Sequence, residues 1–144
     1  MTKRRRRARE APQDQEPQTI LLVDDRDDCR ITTKWFLNVF GYAVDPAHNA
    51  EEALALFNPK IHRLVITDNA MPGMSGPEMA QVLKLRSPST PVVMYSGQPP
   101  LERACFDAVL QRPTHLIALK EIVDNLLRDR SPESAGARLS SAPG

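Results

Sequence analysis

Residues 64–76 read LVITDNAMPGMSG, a short apolar run from Leu64 to Thr67 that stops on a carboxylate, Asp68, and then enters a stretch punctuated by proline and glycine. Three other short runs stop on a polar group in the same way. Ile20 to Val23 ends on Asp24-Asp25, Val92 to Tyr95 on Ser96, and Val109 to Gln111 on Arg112. If the four runs are strands of one parallel sheet, three carboxylates, a hydroxyl and a cation meet at its carboxyl edge, where open α/β folds hold their ligands. That set of groups suits a metal ion and a phosphoryl group.

The near-continuous apolar character of 20–23, 64–66 and 92–94 fits strands covered by helices on both faces. Helical segments alternate with the runs five times, which predicts a doubly wound parallel sheet. Asp27 or Asp28 is the expected cap of the first helix, Ile31, Trp35 and Val39 form one apolar stripe on it, and Gly41 suits the turn that follows. A second strand over Tyr42–Val44 is expected to stop at Asp45-Pro46. The second helix, Glu51–Phe57, turns Ala53, Leu54 and Phe57 inward and ends at Asn58-Pro59. The third starts at Pro77 and runs to Leu85 with Met79, Val82 and Leu83 apolar. Thr114 is the expected N-cap of the last helix, striped by Leu116, Leu119, Ile122, Val123, Leu126 and Leu127. Trp35, Phe36, Phe40 and the methionines read as core or edge packing. His48, His62 and His115 lack ligand spacing and read as structural or solvated.

A chain of 144 residues with 41% hydrophobic content fits one small domain with a real core. No apolar run approaches the roughly 20 residues that cross a bilayer, so no membrane insertion is expected. The start is rich in lysine and arginine but leads into Glu10, Pro12, Asp14 and Glu16 rather than an apolar segment, which predicts a cytoplasmic protein. Cys29 and Cys105 stand far apart without C-x-x-C spacing, and read as buried or inert thiols. The net charge of +1 conceals a basic head and a mildly acidic middle. Head and tail are poor in apolar periodicity, giving an expected organisation of a disordered basic head 1–18, a folded domain 19–130 and a disordered tail 131–144. With no second folded domain in view, the expectation is a stand-alone unit acting through noncovalent partners. The cluster Lys3 to Arg9 could touch nucleic acid weakly through its phosphates, or simply be solvated.

Taken in order, Leu22-Val-Asp-Asp25, Asp68-Asn-Ala-Met-Pro-Gly-Met-Ser-Gly76, Tyr95-Ser-Gly97 and Arg112-Pro113 make the chain resemble the receiver domain of two-component response regulators over roughly residues 19–128. The resemblance implies a flavodoxin-like α/β sheet of five parallel strands in the order 2-1-3-4-5. It implies a magnesium ion held by Asp25 and Asp68 directly, by Asp24 through water, and by the carbonyl of Ala70. Asp68 is the implied phosphoacceptor, with Ser96 and Arg112 contacting the phosphoryl group. The implied donor is a sensor histidine kinase or histidine phosphotransfer protein, with the signal expected to pass to an unidentified downstream protein. Such a domain accepts a phosphoryl group on itself and can lose it again by hydrolysis, but is not a turnover enzyme.

The chemistry agrees with that reading. Three crowded carboxylates repel one another and raise each other's pKa unless a divalent cation neutralises them, and magnesium accepts a few carboxylates while leaving room for phosphate oxygens. Four features depart from the family pattern. Arg112 replaces a lysine, and its planar fork differs from an ammonium. The spacing from Ser96 to Arg112 is short, so the crossover helix between the fourth and fifth strands is expected to be short or irregular, confined to about Leu101–Phe106. Val109 replaces an aromatic switch residue, and Arg26 adds a cation beside the acidic pair. Two alternatives stand beside the receiver: a haloacid-dehalogenase-type phosphatase, through the spacing of Asp25-Arg-Asp27, and a receiver-like scaffold that is never phosphorylated.

Overall fold

The computed structural model describes residues 18–112 and 115–129. The readings that fall on Lys3 to Arg9, on Pro113 and Thr114, and on the tail 131–144 lie outside the described residues. The chain alternates strand and helix: β1 (Thr19–Val23), α1 (Asp27–Val39), β2 (Ala43–Ala47), α2 (Ala50–Leu56), β3 (His62–Thr67), α3 (Gly76–Arg86), β4 (Val92–Ser96), β5 (Ala108–Gln111) and α4 (Leu116–Asp129). The strands are all parallel, in the order β2-β1-β3-β4-β5.

Every residue of β1 and β4 is buried, as strands covered on both faces require. Side chains alternate across the sheet, so β1 sends Ile20 and Leu22 to one core and Leu21 and Val23 to the other. The first core is closed by Leu37 of α1 and by Leu119, Val123 and Leu127 of α4. Ala50 and Ala53 of α2 and Met79, Ala80 and Leu83 of α3 close the second, together with Phe57 and Met71. Small alanines let α2 sit close to the sheet. Ser75 caps α3 reciprocally with Glu78, and Asn49 caps α2 through the Glu52 N–H.

Several sequence expectations need correction. β2 does not stop at Asp45-Pro46 but continues to Ala47. It is an edge strand, where a residue without an N–H is tolerated because only one side of the strand must pair. The N-cap of α1 is Arg26, whose side chain makes no capping bond, while Asp27 and Asp28 occupy the first turn and favour the positive end of the helix dipole. The stripe Ile31, Trp35 and Val39 faces solvent, about 60% exposed, and α1 buries Thr33 and Leu37 instead. Phe40 is also exposed, its ring tilted against that of the half-buried Phe36.

No helix forms between β4 and β5. Residues 97–107 run as loop with one turn, closed by the Phe106 N–H to the Arg103 carbonyl at 3.1 Å. This segment is shorter than the dozen or more residues a parallel crossover ordinarily uses, and Pro99-Pro100 interrupts its start. Side chains replace the missing helix. Asp107 Oδ2 accepts from the Val92 N–H and from Lys84 Nζ, both at 2.8 Å, and Lys84 Nζ also donates to the Thr90 carbonyl. The start of β5 is thereby fastened to the start of β4 and to α3, while Cys105 and Phe106 lean on the α2/α3 core. β5 itself is only half-buried.

Candidate functional site

The carboxyl ends of β1 and β3 are neighbours in the sheet, with Val23 paired to Thr67. The next residue on each strand is therefore an aspartate beside an aspartate. Asp68 N–H continues the ladder to the Val23 carbonyl at 3.1 Å, and Asp24 N–H reaches the Ala47 carbonyl on the other side at 3.1 Å. Asp24, Asp25 and Asp68 each bring a carboxylate oxygen to within 4.8 Å of the other two. Asp24 and Asp68 are buried, and Asp25 is more open. An oxygen-only donor set of this charge, open on one side, fits a magnesium ion that keeps water and phosphate among its ligands.

Arg112 completes the cluster. Its backbone N–H bonds the Ser96 carbonyl at 2.8 Å, extending the β4–β5 ladder by one residue beyond β5. Its guanidinium spans two of the acids, with Nη1 3.2 Å from Asp24 Oδ2 and Nη2 3.3 Å from Asp68 Oδ1. Burial pushes the Asp24 carboxyl above its usual value, and the charge of Asp68 adds to this, whereas the Arg26 N–H on Asp24 Oδ1 and the Arg112 charge pull it down. Burial works against the Arg112 charge, but Asp24 and Asp68 outweigh it and hold the guanidinium protonated. Arg112 is thus the protein's own counter-cation for this acidic pocket.

Ser96 lies buried at the end of β4, and its Oγ accepts the Gln98 N–H at 3.1 Å, which leaves its own proton free to be donated. Ala70 is exposed in the loop two residues after Asp68. The Asp68 carboxylate is oriented by the Asn69 N–H, 2.8 Å from Oδ1. Asp27, the second acid of the phosphatase spacing, is elsewhere: it stands exposed in α1 and pairs with Arg30 at 2.6 Å. The dehalogenase-type arrangement is therefore not formed. Cys29 and Cys105 are free thiols, and burial raises the Cys29 pKa and keeps it protonated. His62 is a buried structural residue, with Nδ1 accepting the Asn58 N–H and Nε2 2.8 Å from Asp45, so the proton sits on Nε2. His48 is exposed and pairs with Glu52.

Sequence reading missed four supporting residues. Arg30 Nη1 donates to the Asp24 carbonyl at 2.8 Å and fixes the β1–α1 corner. Asn69 Nδ2 donates to the Gln98 carbonyl at 2.6 Å, tying the loop after Asp68 to the loop after Ser96. Gly76 packs so closely that a Cβ there would lie 2.1 Å from the Asp68 carbonyl oxygen. Tyr95 lies beneath the Arg112 guanidinium. Asn69 and Gly76 stand inside the 68–76 motif and Tyr95 inside Tyr95-Ser-Gly97, so these three carried a signal of place without one of role, and Arg30 carried none.

Residues 20–127 match the family model described as "Response regulator receiver domain". The chain is 33% identical over 122 residues to the autoinducer 1 sensor kinase/phosphatase LuxN of Vibrio campbellii, a match covering 81% of this chain and 14% of that protein. It spans no more than 28% of the length of the first curated relatives it matches. Among solved structures, it resembles the response regulator TrrA of Thermotoga maritima in complex with Mg2+–BeF, with TM-score 0.71 and 32% identity over 76% of this chain and 98% of that one. A CheY-like receiver domain from Methanospirillum hungatei aligns with TM-score 0.75 and 28% identity, covering 79% of this chain and 96% of that one.

Proposed function

Because the chain belongs to the response regulator receiver domain family, we propose that it accepts a phosphoryl group on Asp68 from a sensor histidine kinase or histidine phosphotransfer protein and signals by binding a downstream protein. The observation that carries this is the set of three carboxylates within 4.8 Å, two of them bridged by a single arginine. Asp24, Asp25, Asp68 and the Ala70 carbonyl would hold the magnesium ion, which supplies charge neutralisation for the acids and for the phosphoryl oxygens.

Asp68 Oδ1 is engaged by the Asn69 N–H and by Arg112, whereas Oδ2 has no hydrogen-bond partner among the described residues. Oδ2 is therefore the attacking atom. As it forms its bond to phosphorus, the bond from phosphorus to the donor's imidazole nitrogen breaks in line, and the imidazole leaves with that electron pair. Arg112 and the Ser96 hydroxyl donate to the phosphoryl oxygens as charge spreads over them. The phosphoryl group later departs by hydrolysis, restoring Asp68, so the domain is an acceptor in a relay rather than a turnover enzyme. A cytoplasmic location agrees with this role, and no helix among the described residues is long and apolar enough to cross a membrane.

The test is mass spectrometry after incubation with magnesium and acetyl phosphate or phosphoramidate. One added phosphoryl group is expected, absent in Asp68→Asn, and Asp25→Ala should bind magnesium at least tenfold more weakly. Undiminished labelling of Asp68→Asn rejects the assignment. Arg112 already offsets part of the charge of Asp24 and Asp68 without a metal, which favours one second reading, a receiver-like scaffold. Complete lack of labelling with magnesium and either phosphodonor supports that scaffold.

A further inference from the structure

Tyr95 and Arg112 rise from the same side of the sheet. β4 and β5 pair with Tyr95 opposite Leu110 and Ser96 opposite Gln111, so Arg112, two residues past Leu110, returns to the face that Tyr95 and Leu110 share. Its guanidinium carbon lies over the Tyr95 ring, 5.0 Å from the centroid. Tyr95 is 6% exposed, and its hydroxyl has no hydrogen-bond partner among the described residues. It forms part of the wall of a cavity of about 580 Å³, shared with Cys29, Thr33 and Leu116, into which an unsupported Arg112 side chain could turn. What Tyr95 offers its neighbour is thus the face of its ring rather than its oxygen.

We infer that Tyr95 is a positioning residue: its ring is the platform that holds the Arg112 guanidinium where one arm reaches Asp24 and the other Asp68. A guanidinium can lay its flat face on an aromatic ring and still direct its edge N–H groups, in plane, to two carboxylates. An ammonium has no flat face and no fixed fork, so it gains far less from such a platform. The Arg112 side chain is 17% exposed, and the poor hydration of that position strengthens the attraction to the ring. Tyr95 and Arg112 accordingly act as one unit, and the loss caused by removing the ring depends on the cation above it. This deepens the proposed function, because the same guanidinium is the donor offered to a phosphoryl group.

Two measurements test it. In the metal-free, unmodified protein, the Arg112 side-chain protons should show an upfield ring-current shift in the NMR spectrum, which Tyr95→Phe keeps and Tyr95→Leu removes. This arm does not depend on phosphorylation. In the second, beryllofluoride, a phosphoryl mimic, is titrated calorimetrically at saturating magnesium. Tyr95→Phe should change affinity less than twofold and Tyr95→Leu should lower it roughly five- to tenfold. In an Arg112→Lys background, Tyr95→Leu should cost less than twofold. Equal losses in the two backgrounds would mean that the ring only packs the strand, and would overturn the inference, as would an equal loss in Tyr95→Phe and Tyr95→Leu. If Tyr95→Leu does not fold, as judged by its melting curve, the shift in the unmodified protein and in Tyr95→Phe decides, and its absence overturns the inference. If beryllofluoride fails to bind any form while the shift is present, the phosphoryl reading fails and the positioning role stands.

Discussion

Gly76 shows how closely the site constrains single residues. The backbone of α3 passes directly against the Asp68 carbonyl, leaving a Cβ only 2.1 Å from that oxygen, and no rotamer choice can relieve a clash with backbone. Gly76→Ala should lower unfolding stability by about 3 kcal/mol in urea titration, typical of severe overpacking. Gly97 lies at the same edge with nothing within 4 Å of its Cβ position, and Gly97→Ala should remain within about 0.5 kcal/mol of the parent. The aspartates, Ser96 and Arg112 were legible in the sequence because each directly ends an apolar run, and strand ends in one parallel sheet converge. The role of Tyr95 beneath Arg112 was not, since it depends on the register of β4 against β5, which no local pattern encodes.

At the level of elements, strands were easier to read than helix faces. α1 has two stripes at four-residue spacing, and the more apolar one, Ile31, Trp35 and Val39, points away from the sheet. The buried stripe contains a polar residue, Thr33, whose small size lets α1 lie close beside β1 and β2. Hydrophobicity alone favoured the wrong face, because the packing partner sets the orientation. The missing crossover helix was half legible, since the short spacing from Ser96 to Arg112 forbade a long helix but gave no sign of the Asp107–Lys84 fastening that replaces it. This loop has few bonds of its own, and its start is tied to the site through Asn69 and Gln98. Hydrogen exchange in 97–107 should therefore slow when beryllofluoride and magnesium bind, while exchange in β1 stays unchanged. Unaltered exchange in the loop despite measured binding would show that the loop does not respond to occupation of the site.

Across the whole molecule, the α1/α4 side is joined by a polar network as well as by its core. The Tyr42 hydroxyl, just before β2, donates to Asp124 of α4, and Lys120 pairs with the same carboxylate while its Nζ lies 4.9 Å from the Phe40 ring centre. Burial works to raise the Asp124 pKa, but the hydrogen bonds from Lys120 and Tyr42 outweigh it and hold the carboxyl below its usual value. Burial and the bond to Asp124 push the Tyr42 phenol above its ordinary value. The signs follow from linkage. The Asp124 contribution is present above the ordinary carboxylate pKa and is lost as pH falls through the lowered one, whereas the Tyr42 contribution is present below the ordinary phenol pKa and is lost as pH rises through the raised one. Asp124→Asn should cost about 1–2 kcal/mol at neutral pH, with the difference from the parent narrowing toward about pH 2 in urea unfolding.

The two rims of the sheet are unequally guarded against other chains. β2 carries Pro46, which offers no N–H to an incoming strand, and the half-buried Asp45 beside it. Among the described residues β5 has neither device, and without a crossover helix its face is only partly covered by them, which leaves its shortness, four residues, as its chief protection there. Intermolecular sheet growth in this protein would begin at β5, and a lysine introduced along that strand is where resistance to fibre formation can be gained with least disturbance to the core.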